Sequence, residues 1–362
     1  MSKRTSYQTQ HSIRINDRLK DLQRQLPSSC TDYFRSISQT TSPLTRLAYA
    51  YDLRLFFQYL HLESMYFANT SIVAITGRDL SEITANDIAG FQEYLQQYVK
   101  TNFSKETDEE NPPILIQNYE LGIMRKLSCI RSYFEYLFRN EIIAANVATR
   151  ITLPKRHEKP ILYLEPEEVQ KLIDTVKHGE GLSDRQQKYL SITKQRDIAI
   201  LMLFLGTGIR VSELIGIDID DLDLNDNAFV VTRKGGNQVI LYYPDTVKSV
   251  LEEYLLARKQ VACLPGHEFA LFLSLQRRRM TARAVENMVK KYALIATPLK
   301  KRISPHKLRS TFGTTLYQET GDIYLVSDAL GHSDVNTTKR HYASIKDSKR
   351  REAAQKITLP DV

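Results

Sequence analysis

Four separated segments in the second half of this 362-residue chain place cations, and a fifth places a tyrosine, where helix starts or tight turns would hold them. In the first, Gly206 and Gly208 can end a helix in a left-handed cap, and a new helix opens near Arg210 with Glu213 one turn on. An arginine at such a start can fork onto two phosphate oxygens; paired with Glu213 it is equally an ordinary surface ion pair. Lys234 stands among glycines at the tip of a predicted hairpin, a place where a lysine is either solvated or inserted into a groove. In the third, Ser304 suits an N-cap and Pro305 a first helical turn. His306 and Arg309 then fall three apart on one face at the helix start, an anion site with a titratable base beside it. In the fourth, Gly331 closes a helix begun near Asp322 and leaves His332 in the turn. Ten residues later comes Tyr342, one of 20 tyrosines. Cations held at helix starts and turns are suited to binding an anion such as a phosphate.

Holding such groups requires ordered elements around them. Residues 42–61 carry Leu44, Leu47, Tyr51, Leu53, Phe56, Phe57 and Leu60 mostly at three- and four-residue steps, the pattern of an amphipathic helix. A second helix begins at Thr84, whose hydroxyl can cap the amide of Asp87, with Ile88, Phe91, Tyr94, Leu95 and Tyr98 along one face. A third spans 119–139, with Leu121, Met124, Leu127, Ile130, Tyr133, Phe134 and Leu137 as its stripe and Lys126, Arg131 and Arg139 away from it. The whole first half reads as helical, and the acidic, proline-ended stretch 101–113 reads as an exposed loop. Residues 154–160 are basic and punctuated by proline, which marks a domain boundary. Beyond it, Val169, Leu172, Ile173 and Val176 form the buried face of a helix with Pro166 in its first turn. A polar insertion at 177–194 leads to the apolar helix of 197–205. Two runs rich in β-branched and apolar residues within 228–243 flank Gly235, Gly236 and Asn237, a hairpin signal.

Composition narrows the partners. Lys and Arg total 50 against 42 Asp and Glu, a net charge of +8, which favours a polyanion. The longest apolar run, 198–205, is far short of the roughly 20 residues that span a bilayer, so no membrane association is expected. The polar start lacks the apolar core of a secretory signal, and a cytoplasmic protein is expected. Three widely spaced cysteines, Cys30, Cys129 and Cys263, argue against a disulfide framework or a zinc knuckle.

Each motif alone has an ordinary structural explanation; their order does not. Arg210, Lys234, the His306-to-Arg309 pair, Gly331-His332 and Tyr342, in that sequence, resemble the tyrosine recombinase family, also called phage integrase-like or Xer-like enzymes. The resemblance reaches back to about Leu44, through Thr45, Ala48, Tyr49 and Asp52 and the stretch from Lys126 to Leu137. It implies a mainly α protein with a small antiparallel β-sheet in the catalytic domain: a helical, SAM-like core-binding domain at 26–150, a basic linker at 151–162 and an α+β catalytic domain at 163–350. A flexible polar segment at 1–25 and a tail at 351–362 complete the expected organisation.

By the same resemblance, Arg210 and Arg309 clamp the scissile phosphate and His332 donates a further hydrogen bond to it. His306 is the base near the tyrosine hydroxyl, Lys234 the general acid for the leaving 5′ oxygen, and Tyr342 the nucleophile that forms a 3′-phosphotyrosyl link. No metal and no other cofactor is implied. Glu213 supports Arg210. Tyr317 and Tyr324, the competing nucleophiles, precede His332 and lie in helical stripes that suit core packing; His341 reads as solvent-exposed. The implied partners are double-stranded DNA with specific inverted-repeat core sites, three further copies of the chain in a tetramer on two sites, and an accessory DNA-bending protein. The expected purpose is integration, excision or transposition of a mobile element, with Xer-like resolution of chromosome or plasmid dimers as the alternative. A type IB topoisomerase and an inactive DNA-binding relative are the rival functions.

Overall fold

The computed structural model describes residues 6–68, 70–100, 114–154, 162–233, 236–300, 303–331, 334–336 and 338–339. The chain divides into two compact units, Met1–Glu158 and Lys159–Val362, so the division falls inside the basic proline-punctuated segment. Most described residues are helical, and the strands form two small antiparallel sheets. No described helix is long and apolar enough to cross a membrane.

The first unit is built on helices α1 (Tyr7–Gln23), α2 (Ser28–Ser36), α3 (Pro43–Glu63), α4 (Gly77–Ser81), α5 (Ala85–Tyr94) and α6 (Glu120–Arg139). The periodic apolar residues of α3 and α6 meet in one core, where Phe56 sets its ring edge-on to Phe91 at 5.0 Å and to Phe134 at 6.2 Å. Such edge-to-face pairs are favoured because the ring edge and face carry opposite partial charge. Three expectations change. The N-terminal segment is not a flexible tail over its whole length, because Ser6 caps α1 and Ile15, Leu19 and Leu22 are buried. The unit is not helical throughout: β1 (Gln97–Lys100) pairs with β2 (Ile114–Gln117), and α5 stops at Tyr94, which puts Tyr98 on β1 rather than on the helix face. Leu44, Tyr51 and Leu121 are exposed, whereas Ile123 is buried on α6. The loop expected at 101–113 lies outside the described residues.

Of the cations set aside from the α6 stripe, Lys126 and Arg131 are structural, as is Arg125, which the sequence did not single out. Arg125 forks onto the buried carboxylate of Asp52 on α3, and Lys126 donates to the side-chain oxygen of Asn118 at 3.1 Å. Burial pushes the Asp52 carboxyl above its usual range, and Arg125 and Lys126 pull against that shift. Arg131 donates to the carbonyls of Ala148 and Ile151, so the start of the expected linker belongs to this unit's packing.

In the second unit, α7 (Pro166–His178) leads through a left-handed Gly179 to α8 (Asp184–Thr207). The polar insertion is therefore mostly helix: Ser183 and Gln186 form a capping box, and α8 starts nearly four turns before its apolar run. Within α8, buried Asp197 accepts from Thr193 at 3.0 Å and from the Tyr292 hydroxyl at 2.7 Å, and it pairs with Arg196. Tyr292 lies on a later helix, α11 (Ala282–Ala296), so this carboxylate pins two helices. After α9 (Val211–Leu214) come β3 (Leu222–Asp223), β4 (Ala228–Thr232) and β5 (Gln238–Tyr242), in that order in one antiparallel sheet. Val230 lies opposite Ile240 in the β4–β5 hairpin. Helices α10 (Asp245–Lys259), α11 (Ala282–Ala296), α12 (Pro305–Thr320) and α13 (Ile323–Leu330) complete the described unit.

Two outcomes test this packing. Leu22→Ala is expected to destabilise the first unit by about 2–5 kcal/mol, read as a lowered urea midpoint; an unchanged midpoint would contradict a docked α1. Burial pushes the Cys30 thiol up to about 12 and the Cys129 thiol well above its usual value, whereas Cys263 is partly exposed. At about pH 8 a thiol reagent should therefore modify Cys263 alone until the chain is unfolded.

Candidate active site

Gly208 is the left-handed C-cap of α8, at φ 61°. A β-carbon there would collide with the ring of Phe312 and crowd Leu330, so the position requires glycine for space as well as for backbone angle. The cap turns the chain sharply, and two residues later Arg210 becomes the N-cap of α9. Its backbone amide donates to Glu213 Oε2 at 3.0 Å and its Nη1 donates to Glu213 Oε1 at 2.8 Å. Glu213 is itself buried, so one carboxylate fixes both the main chain and the side chain of Arg210. The ion pair that the sequence left open as a bland explanation is present, yet it does not use the whole guanidinium. Nη2 of Arg210 reaches the carbonyls of Leu330 at 3.3 Å and Gly331 at 3.0 Å.

Arg309 arrives from another direction. Pro305 opens α12 as expected, although Ser304 makes no side-chain cap bond. One turn in, Arg309 points inward, 6% exposed, and donates to the carbonyls of Gly208 and Leu330. His306, three residues earlier, is exposed at the helix start, so the pair shares a side of the helix but not a depth. The two arginines thus converge on the carbonyl of Leu330, at the C-terminal end of α13. Gly331 caps that end in the left-handed conformation, at φ 59°. Carbonyls at a helix C-terminus carry partial negative charge, which suits guanidinium groups brought there together.

Lys234, His332 and Tyr342 lie outside the described residues, as does His341. On the chain toward Tyr342, Thr338 is fully buried and the Lys339 ammonium lies 5.7 Å from the centre of the Tyr324 ring. Tyr317 is buried, as core packing requires, but Tyr324 is exposed, so the helical stripe does not account for it. A residue that the sequence did not single out is Arg233. It leaves the β4 end of the hairpin and lays its guanidinium against Gly331, with Nη2 3.3 Å from the Ala329 carbonyl. The available signal was a second cation beside Lys234, which at a hairpin shoulder reads as solvated.

Residues 163–349 match the model of the Phage integrase family, which covers all but the first four and last thirteen residues of the second unit. The chain is 31% identical over 333 residues to a tyrosine recombinase XerC of Caldanaerobacter subterraneus, spanning 91% of this chain and 85% of that protein. It is 30% identical over 364 residues to a tyrosine recombinase XerS of Streptococcus agalactiae, spanning 94% of this chain and 98% of that protein. Among solved structures, XerH site-specific recombinase bound to a palindromic difH substrate superposes with a TM-score of 0.60 at 20% identity, covering 88% of this chain and 81% of that one. The Tn1549 transposon integrase in complex with circular intermediate DNA gives 0.60 at 17% identity, covering 87% and 94%. Those two likenesses establish the shared fold. With the family model over the second unit and relatives aligned along nearly the whole length, the chain belongs to the phage integrase family of tyrosine recombinases and is a site-specific recombinase.

Proposed function

We propose that Arg210 and Arg309 hold the scissile phosphate of a DNA strand while Tyr342 attacks it. The observation that carries this reading is the convergence of both guanidiniums on the Leu330 carbonyl, two residues before His332. In the proposed cycle the Tyr342 oxygen forms a bond to phosphorus and the bond to the 5′ oxygen breaks. His306 takes the phenol proton, Lys234 gives a proton to the 5′ oxygen, and His332 donates to a non-bridging oxygen. The 3′-phosphotyrosyl link keeps the energy of the diester, so a 5′ hydroxyl from another strand reverses the step without an external energy source. The helical first unit serves as the core-binding domain on double-stranded DNA, four protomers act on two inverted-repeat sites, and an accessory bending protein assists. The enzyme works in the cytoplasm.

The biological purpose favoured is Xer-like resolution of chromosome or plasmid dimers. The polar insertion at 177–194 and the tail lengthen the chain beyond a lean Xer-like pattern, which by itself favours a mobile element. A relative called XerS aligns over 98% of its own length with 94% of this chain, so the additional length has a parallel among the Xer proteins. Deleting the gene and scoring dimeric chromosomes against rejoined ends of an excised element separates the two purposes.

The chemistry is tested on a duplex selected from a random-sequence pool by binding to the full chain, with a nick placed near the cleavage point. Tyr342→Phe is expected to abolish the covalent protein–DNA adduct and to leave binding intact; an adduct that survives the substitution removes the assignment. Binding should also weaken by about 10³–10⁵ between 50 and 200 mM salt if some 6–10 phosphates are contacted, and a flat response would contradict phosphate-dominated binding.

A further inference from the structure

Arg233 occupies a position that charge solvation does not explain. Its backbone closes the hairpin: its amide donates to the Asn237 carbonyl at 2.8 Å and its carbonyl accepts from Gly236 at 3.1 Å. Its side chain then leaves the hairpin and crosses to the last turn of α13, ninety-six positions away in sequence. There the guanidinium fills the space that a side chain at Gly331 would occupy. Gly331 is therefore needed twice, for its left-handed backbone and for the flat group that lies on it. Among the described residues, Nε of Arg233 is buried with no hydrogen-bond partner. A buried donor left unsatisfied is a cost that an apolar side chain of similar length would not carry. The arrangement is thus not the one that stability alone favours.

We propose that Arg233 is a positioning residue: seated on the end of α13, it fixes the hairpin shoulder from which Lys234 extends and ties that shoulder to the turn leading into His332. Consecutive α-carbons are about 3.8 Å apart, so anchoring Arg233 restricts where the Lys234 backbone can stand. Arginine suits the task because its planar fork lies flat on a glycine while still donating to a carbonyl; the lysine ammonium is a point charge and does neither. The inference rests on the assignment of Lys234 as the acid that protonates the leaving 5′ oxygen. The competing role is a third phosphate ligand beside Arg210 and Arg309.

The test uses the full chain and the selected duplex, with the cleavage point mapped on the wild type. Single-turnover cleavage is compared on the ordinary strand and on one whose scissile 5′ oxygen is replaced by sulfur. A thiol has a pKa of about 8.5, so the sulfur leaves without an acid. A general acid contributes about 10²–10⁴ in rate, and its misplacement in R233Q is expected to slow the ordinary cleavage by about 10- to 100-fold. On the sulfur strand R233Q should regain a rate within about threefold of wild type, as should K234A, because neither then lacks anything the step needs. If K234A is rescued and R233Q stays slow on both strands, Arg233 acts on the phosphate or on folding and the inference fails. If K234A is not rescued, the assignment of Lys234 fails, and this inference with it. A wild-type rate for R233Q on the ordinary strand also overturns it. Where R233Q lowers the melting temperature, R233K is the deciding variant: it keeps charge and length but loses the planar fork, and the same rescue by sulfur is expected.

Discussion

A single main-chain oxygen, the carbonyl of Leu330, accepts from both Arg210 and Arg309. The geometry of the site depends on it. Three guanidiniums, counting Arg233 on the neighbouring Ala329 carbonyl, come from a helix-to-helix turn, a hairpin shoulder and the second turn of α12. Cations gathered so closely repel one another. The repulsion is offset by the carbonyls of a helix C-terminus and by Glu213, both supplied by the protein itself. Long side chains that lose rotamer freedom on folding have less to lose on binding a ligand, which is the physical meaning of a site ordered in advance.

Keeping that oxygen in place is the work of apolar packing. Leu330, Val326 and Tyr317 form a small buried cluster with Phe312 against it, so the end of α13 and the body of α12 move as one. Gly208 admits the Phe312 ring where any side chain would block it, and the same residue presents its own carbonyl to Arg309. The turn before Arg210 and the arginine on α12 are thus joined by a side-chain donor and a main-chain acceptor, and only the donor can be removed by substitution.

Much of this was legible in the sequence because it is written locally. The capping box of Thr84 and Asp87, the glycine ends of α8 and α13, and the proline start of α12 are all short-range chemistry. The two strands of the β4–β5 hairpin follow from residue type. The missed features depend on distant partners or on sparse patterns. In α1, buried Ile15, Leu19 and Leu22 are spaced as a helix requires, but the residues around them are polar enough to read as a tail. Strands β1 and β2 have four residues each, too few for alternation to stand out. Arg125 and Lys126 look like surface charges until Asp52 and Asn118 are brought to them from elsewhere in the chain. Depth is the other limit: spacing puts His306 and Arg309 on one side of a helix, but only tertiary packing decides that one is exposed and the other buried.

The polar insertion ahead of the apolar run of α8 has a different kind of consequence. Its residues are spent on the N-terminal turns of a helix whose other end carries Gly208 and leads to Arg210. A helix grown or trimmed at its far end keeps the residues near the cap in the same rotational phase, because their register is fixed by the buried run from Ile198 to Phe204. Asp197, bonded to Tyr292 at the junction of the polar and apolar parts, acts as the stop against which such changes end. The exposed first turns can therefore change in length without altering the rotational phase of the end that carries Gly208 and leads to Arg210.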